Sequence, residues 1–229
     1  MDLLNINNME YYPPGYPPKE FDLIFADYIY ENTDFSWVEH YWKFLKPKGI
    51  LIAMTDWHSA AEYKVFTNAL PAAHLVNWIV WKNEFGNFPK NKFRQCHDDI
   101  IIFSKGKDYK FYPERVQVEK ATAKSKGLNP SGRTTKLATS FISDICLTTI
   151  HTERVKDKNG KNVPWQKPVA LLERIMNPFL DAGESVLDPF MGVGTAGVVA
   201  QKLGCSYTGI EIKSDIYQLA KERLENGSG

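Results

Sequence analysis

The chain has 229 residues, 28 Lys+Arg against 27 Asp+Glu, 43% hydrophobic and 24% charged residues. That balance describes one soluble globular domain, alone or with an insertion, and excludes a disordered, collagen-like or coiled-coil chain. No apolar run approaches the roughly 20 residues a membrane helix needs, and the opening MDLLNINNME has neither the basic start nor the apolar core of a signal peptide. Cys96, Cys146 and Cys205 are far apart, which suggests neither a zinc site nor a disulfide framework. A reducing, cytoplasmic setting and no membrane partner are expected.

Residues 1–20 carry Pro13, Pro14, Pro17 and Pro18 and read as extended chain. FDLIFA (21–26) reads as a buried strand. Trp37, Val38, Tyr41, Trp42 and Leu45 share a helical face, with Asp34 as the expected N-cap and Pro47 and Gly49 ending the element. Residues 50–55 predict a second strand, 59–70 a helix, 75–81 a third strand and 99–105 a fourth. Trp37, Trp42, Trp78 and Trp81 are most simply core. From 106 to 163 no period holds and Gly, Pro, Ser and Lys dominate, as in a mobile loop. Order resumes at Pro168 with an amphipathic helix through Val169, Leu172, Ile175, Met176 and Phe179. Strand 185–190, helix 195–203, strand 206–212 and helix 215–224 follow. Strands alternating with helices predict an α/β fold with a parallel sheet. The whole chain is then a single domain with 106–164 inserted between its halves.

Net charge hides an asymmetry. Residues 105–167 hold 14 Lys+Arg and 6 Asp+Glu, a local charge of +8, which leaves −7 on the rest. A basic insert in an acidic body suits a polyanion; a solvated lysine-rich loop is the plainer reading. Lys124, Lys126, Arg133 and Lys136 are the candidate phosphate contacts, and Arg94, with Asn87 and His97, is a candidate near the site.

Residues 188–197 read DPFMGVGTAG, so Gly192, Gly194 and Gly197 satisfy G-x-G-x-x-G between a predicted strand and helix. Glu211 ends the next strand, 19 residues after Gly192, where a carboxylate can accept from two ribose hydroxyls. By spacing this is a nucleotide-type site or a ligand-free tight turn. One helix only is predicted after Glu211, so the missing strands must lie upstream, as in a circularly permuted sheet.

The same residues carry a resemblance. Asp188-Pro189-Phe190-Met191-Gly192-x-Gly194-Thr195 followed by Gly209-Ile210-Glu211 resembles the S-adenosylmethionine site of DNA amino-methyltransferases that act on adenine N6 or cytosine N4. WQKPVALLERI (165–175) resembles the Lys-Pro helix that precedes that site, with Lys167 and Pro168 as the cofactor-side pair. FDLIFADYIY (21–30) resembles the strand that ends in the family's catalytic tetrapeptide, and 81–106 the loop and strand between them. Catalytic motif, basic insert, then cofactor motif is the family's permuted β order. The resemblance implies a doubly wound, Rossmann-like sheet of seven strands, mostly parallel with one antiparallel, and an insert that recognises the DNA target. It assigns S-adenosylmethionine to Asp27, Lys167, Pro168, Asp188, Pro189, Phe190, Gly192, Gly194, Thr195 and Glu211. An acidic residue for the cofactor's purine would have to be Asp2.

An exocyclic amino group is a weak nucleophile because its lone pair is delocalised into the ring. Asp27 would accept one N–H and its proton, the main-chain carbonyl of Tyr28 the other N–H, and Tyr30 would stack on the base. The base must leave the duplex to arrive there. The family pattern is Asp, Asn or Ser followed by Pro-Pro-aromatic, whereas this chain has Asp27-Tyr28-Ile29-Tyr30. Losing both prolines removes rigidity. An active enzyme with a looser loop, a weakened DNA-binding variant, and an Asp27 that merely ends a strand all remain open. Asp at the first position favours adenine N6 over cytosine N4. An RNA target, an NAD-linked oxidoreductase, a homodimer and a partner restriction endonuclease stay open too; double-stranded DNA is the expected substrate.

Overall fold

The computed structural model describes residues 1–11, 19–28, 34–83, 89–120, 133–146 and 152–227. In chain order its elements are β1 (Asp2–Leu4), β2 (Phe21–Asp27), α1 (Ser36–Trp42), β3 (Leu45–Thr55), α2 (Ala60–Asn68), β4 (Ala73–Lys82), β5 (His97–Lys105), β6 (Gln117–Glu119), β7 (Thr135–Leu137), β8 (Phe141–Ile142), α3 (Val169–Met176), β9 (Ser185–Asp188), α4 (Thr195–Lys202), β10 (Ser206–Ile210) and α5 (Ser214–Glu225).

The central strands are apolar on both faces, which is what a sheet covered by helices on two sides requires. Leu23 and Phe25 of β2, Ile50, Ile52 and Met54 of β3, and Ile100 and Ile102 of β5 pack with Leu171, Leu172 and Ile175 of α3 and Val198 and Val199 of α4. The alternate residues Phe21, Ile24, Ala26, Leu51, Ala53, Ile101 and Phe103 face Trp37, Val38 and Tyr41 of α1 and Ala60 and Tyr63 of α2. The result is a three-layer α/β/α arrangement.

The main sheet runs β1-β10-β9-β2-β3-β5-β4-β8. Of these, β5 is antiparallel to both its neighbours, and every other pairing is parallel. The single antiparallel strand matches expectation, but among the described residues the sheet has eight strands rather than seven. The extra one is β8, supplied by the insertion, whose Phe141 and Ile142 pair with Val80 and Trp81. The permutation is also visible: β1 lies beside β10, so the chain's first strand completes the half of the sheet that its last segment builds. Among the described residues no helix is long and apolar enough to cross a membrane.

Four further expectations change. The insertion is not a featureless loop: β6 and β7 pair as an antiparallel ribbon before β8 joins the sheet. Its length and low hydrophobicity hid strands of only two or three residues. Asp34 does not occupy the N-cap of α1. Phe35 does, and Asp34 Oδ1 instead accepts from the Ser36 amide at 3.0 Å. Pro47 and Gly49 do not end a helix; they sit in β3, where the register jumps from Phe21↔Leu45 to Leu23↔Ile50. That bulge is held by Lys46 Nζ, 2.8 and 2.9 Å from the Asp22 carboxylate oxygens. Trp78 is 39% exposed rather than core, its indole N–H donating to Asp99.

Candidate active site

β2 and β9 are neighbours, with Leu23 beside Val186 and Ile24 beside Leu187. The helix after β2 covers one face of the sheet and the helix after β9 covers the other. The boundary between them is therefore the topological switch point, where α/β sheets open a crevice at the carboxyl ends of the strands. Asp27 ends β2 and Asp188 ends β9, so both border that crevice. A cavity of about 430 Å³ fills it, within the usual range for small-molecule sites. Its wall includes Asp27, Lys167, Asp188, Pro189, Phe190, Gly192, Thr195 and Glu211. Pro168 stands behind Lys167 as the N-cap of α3.

The glycine turn is shaped for this position. Gly192 and Gly194 have φ of +53° and +76°, values that any side chain would strain. Gly197 answers a different need: a Cβ there would lie 2.8 Å from the Tyr207 ring and 2.9 Å from Leu224. Glu211 reaches back to the turn, its Oε2 accepting from the Gly192 amide at 3.0 Å and its Oε1 from the Lys213 amide at 2.9 Å. From the other side Arg223 of α5, buried, donates to the Val193 carbonyl at 3.2 Å and to Thr195 Oγ1 at 3.1 Å.

Asp188 accepts from the Phe190 amide and from the Tyr207 hydroxyl, both at 3.1 Å. Burial pushes its carboxyl up to about 8 despite those donors, and the charges of Asp27 and Glu211 add to the push. An unfolded aspartate titrates near about 3.9, so between these values the native state holds an extra proton. The stability Asp188 contributes is complete below about pH 4 and is lost as pH rises through about 8. Asp188→Asn is expected to flatten that decline, read as denaturation midpoints across the pH range. An unchanged slope would remove Asp188 as its source.

Asp27 faces a lysine. Lys167 Nζ lies 3.1 Å from Asp27 Oδ2 and 3.9 Å from Asp98 Oδ2, with Lys167 and Asp98 both buried. Burial raises the Asp27 carboxyl, the Lys167 ammonium pulls it back, and the Asp98 charge adds to the rise. Lys167 thus touches the candidate catalytic carboxylate while lining the cavity.

Tyr28, which stands where the resembled family has proline, is held by packing. Its ring lies 5.3 Å from Trp37 and 5.1 Å from Phe190, and its hydroxyl donates to the Asp34 carbonyl at 2.7 Å. These contacts tie the end of β2 to α1 and to the glycine turn, a different source of order from proline's fixed φ.

Several expected residues are elsewhere. Asp2 sits on β1 opposite Thr208, exposed and 3.7 Å from Lys19, outside the cavity wall. Parallel pairing puts it two residues short of the strand's carboxyl end, and Asn8, beyond that end, lines the cavity instead. Arg94 is exposed in the segment before β5, and Arg133 and Lys136 are exposed on or beside β7. Ile29, Tyr30, Asn87, Lys124, Lys126, Ser131 and Gly132 lie outside the described residues. Sequence reasoning missed Asn8, Asp98 and Arg223. For Asp98 there was a signal: two aspartates, Asp98 and Asp99, open an otherwise apolar strand.

Comparison with known proteins agrees with this geometry. The family model described as DNA methylase, of the N6/N4 type, matches residues 22–222. The type II methyltransferase M.HpaI of Haemophilus parainfluenzae is 32% identical over 203 residues, 86% of this chain and 60% of that protein. M.HinfI of Haemophilus influenzae is 30% identical over 153 residues, 66% of this chain and 39% of that protein. The chain thus spans less than two thirds of the length of these relatives. M1.HpyAVI, solved with SAM, superposes with a TM-score of 0.71 at 21% identity, covering 97% of this chain and 99% of that one. The cytosine-N4-specific PvuII DNA methyltransferase gives 0.66 at 14% identity, covering 96% and 89%. These two likenesses speak for the fold, and the family match speaks for more. With the family match covering nearly all of the sheet, the crevice and the glycine turn, the chain belongs to the N6/N4 DNA methylase family.

Proposed function

We propose that this chain is an S-adenosylmethionine-dependent DNA methyltransferase that modifies an exocyclic amino group of a base turned out of the duplex, adenine N6 in preference to cytosine N4. The observation that carries this reading is the meeting of Asp27 with residues 188–193 around one cavity at the switch point.

The residues fit the cofactor. Asp27, Asp188 and Glu211 line the cavity with Lys167 and Lys213; burial keeps the proton on Asp188 near neutral pH, so two carboxylates face two ammonium groups. That balance suits a ligand that carries a carboxylate beside its sulfonium and ammonium charges, and it offers no excess of positive charge to the pyrophosphate of a nicotinamide dinucleotide. Glu211 would hold the ribose hydroxyls, the glycine turn would let backbone approach, and Asn8 and Phe190 would complete the wall. When bound, S-adenosylmethionine supplies a methyl group on a positively charged sulfur.

The chain's own residues do the rest. Asp27 accepts a hydrogen bond from the amino group and takes its proton, which returns the nitrogen lone pair to reactive use. The Tyr28–Trp37–Phe190 cluster fixes the strand end that carries Asp27; alignment of this kind supplies a large share of rate. That packing supports an active enzyme over a weakened variant. An aspartate in the first position of the tetrapeptide supports adenine. The basic insertion, with Arg133 and Lys136, would read the DNA target, joined by Lys124, Lys126 and Arg94, so binding is salt-dependent.

Methyl transfer from labelled S-adenosylmethionine to mixed-sequence duplex DNA, followed by nucleoside analysis, tests this. N6-methyladenine is expected. N4-methylcytosine would correct the base, label in RNA alone would correct the polymer, and no label in either, with cofactor bound, would refute the activity.

A further inference from the structure

A carboxylate that must receive an amino group cannot keep an ammonium in the way. Asp27 Oδ2 is 3.1 Å from Lys167 Nζ, and the Lys167 side chain is only 7% exposed. A buried ammonium has three N–H donors and is costly to leave without an acceptor. An incoming amino group brings donors to the same oxygens. Two sets of donors then compete for one carboxylate unless the ammonium has somewhere else to go.

Asp98 provides that place. Its Oδ2 is 3.9 Å from the same nitrogen, and its side chain is 10% exposed. It comes from β5, the antiparallel strand, whose start therefore lies at the carboxyl edge where β2 ends. Asp98 is not part of the cavity wall, so it does not meet the substrate itself; it acts on Asp27 by its charge and by its hold on the Lys167 ammonium. The four-carbon lysine stem allows the short swing between the two carboxylates. One ammonium between two carboxylates leaves a net negative charge, more than neutralising a lysine requires.

We propose that Asp98 is a positioning residue that serves as a second seat for the Lys167 ammonium, releasing the Asp27 carboxylate to the substrate's amino group. This rests on the amino-methyltransferase reading. The amino group gives up one hydrogen as a proton for each methyl it gains; Asp27, free of the ammonium, receives that proton and passes it to solvent. Among the described residues, the titratable groups facing Asp27 are Lys167 before α3, Asp98 on β5 and Asp188 on β9.

The test uses the full chain, labelled S-adenosylmethionine and mixed-sequence duplex DNA. Asp98→Asn should lower the saturating rate at least tenfold while leaving the calorimetric Kd for S-adenosylmethionine within twofold. Asp27 works as a carboxylate, so the rate rises with pH through its titration. The Asp98 charge holds that titration up, and removing it leaves Lys167 acting on Asp27 alone, so the acid limb should move to lower pH. Lys167→Met should move it to higher pH. In saturating rate the double variant should match Lys167→Met, because a second seat matters only while the ammonium is there; its acid limb should lie below that of Lys167→Met, because the Asp98 charge also acts on Asp27 directly. Asp98→Glu should restore most of the rate and carries the test, with Lys167→Met, if Asp98→Asn does not fold. A wild-type rate and acid limb in Asp98→Asn would overturn the proposal, as would losses that multiply in the double variant. Cofactor binding without transfer by the wild type is a separate result: it removes the reaction itself and this proposal with it.

Discussion

Asp27→Asn is expected to lower methyl transfer by about 10²–10⁴ at every pH while S-adenosylmethionine still binds, since a positioned base contributes about that much. The substitution keeps the shape at the end of β2 and removes the charge. Asparagine offers one weak acceptor in place of a carboxylate and cannot take the amino proton. It also turns an N–H₂ group into a site where Lys167 already brings donors at 3.1 Å. Fold loss is not expected to account for the result, because Asp98 remains beside the ammonium to hold it. Initial rates with labelled cofactor, beside calorimetric cofactor binding and a melting curve, separate these effects. A variant within tenfold of wild type, equally stable, would take Asp27 out of the proton-accepting role and leave it as the end of a strand.

How far the site could be read from sequence depended on the kind of interaction. The glycine turn and Glu211 were legible because local backbone demands fix both residue type and spacing. A strand must turn sharply into a helix, and a carboxylate one strand later must reach the turn; 19 residues is the span of that unit. The adjacency of Asp27 and Asp188 was legible only conditionally, since nothing local says which strands pair, and the pairing of Leu23 with Val186 supplies the answer. Asp98 and Arg223 act across 69 and 30 residues, on Lys167 and Val193, and their local sequence is ordinary for a strand start and a helix end. Short strands of the insertion escaped because two or three residues carry no period. Tyr28 was only partly legible for a related reason. Lost proline rigidity was visible in the sequence, but aromatic contacts with Trp37 and Phe190 that replace it depend on α1 and the glycine turn packing at the same corner.

Glu211→Gln is expected to weaken S-adenosylmethionine binding about 10²-fold. A carboxylate has about four lone-pair sites. Two are used inside the protein, by the Gly192 and Lys213 amides, which leaves two for the ribose hydroxyls of a ligand. Glutamine turns one oxygen into an N–H₂ group, so one internal amide meets a donor and one ribose hydroxyl loses a charged acceptor. Hydrogen bonds to charged groups contribute about 1.5–3 kcal/mol each, and about 1.4 kcal/mol is tenfold in affinity. Loss of one such bond, plus the loosening of a turn that Glu211 also braces, gives the stated range. Calorimetry reads it directly, and thermal stabilisation by saturating cofactor gives an independent measure. The comparison with Asp27→Asn makes the test selective: that variant should bind cofactor without transferring methyl, whereas Glu211→Gln should recover transfer when cofactor is raised far above its Kd. If Glu211→Gln instead bound cofactor within threefold of wild type, the carboxylate would serve only to hold the turn, and the ribose would have to be held by other groups of the cavity wall.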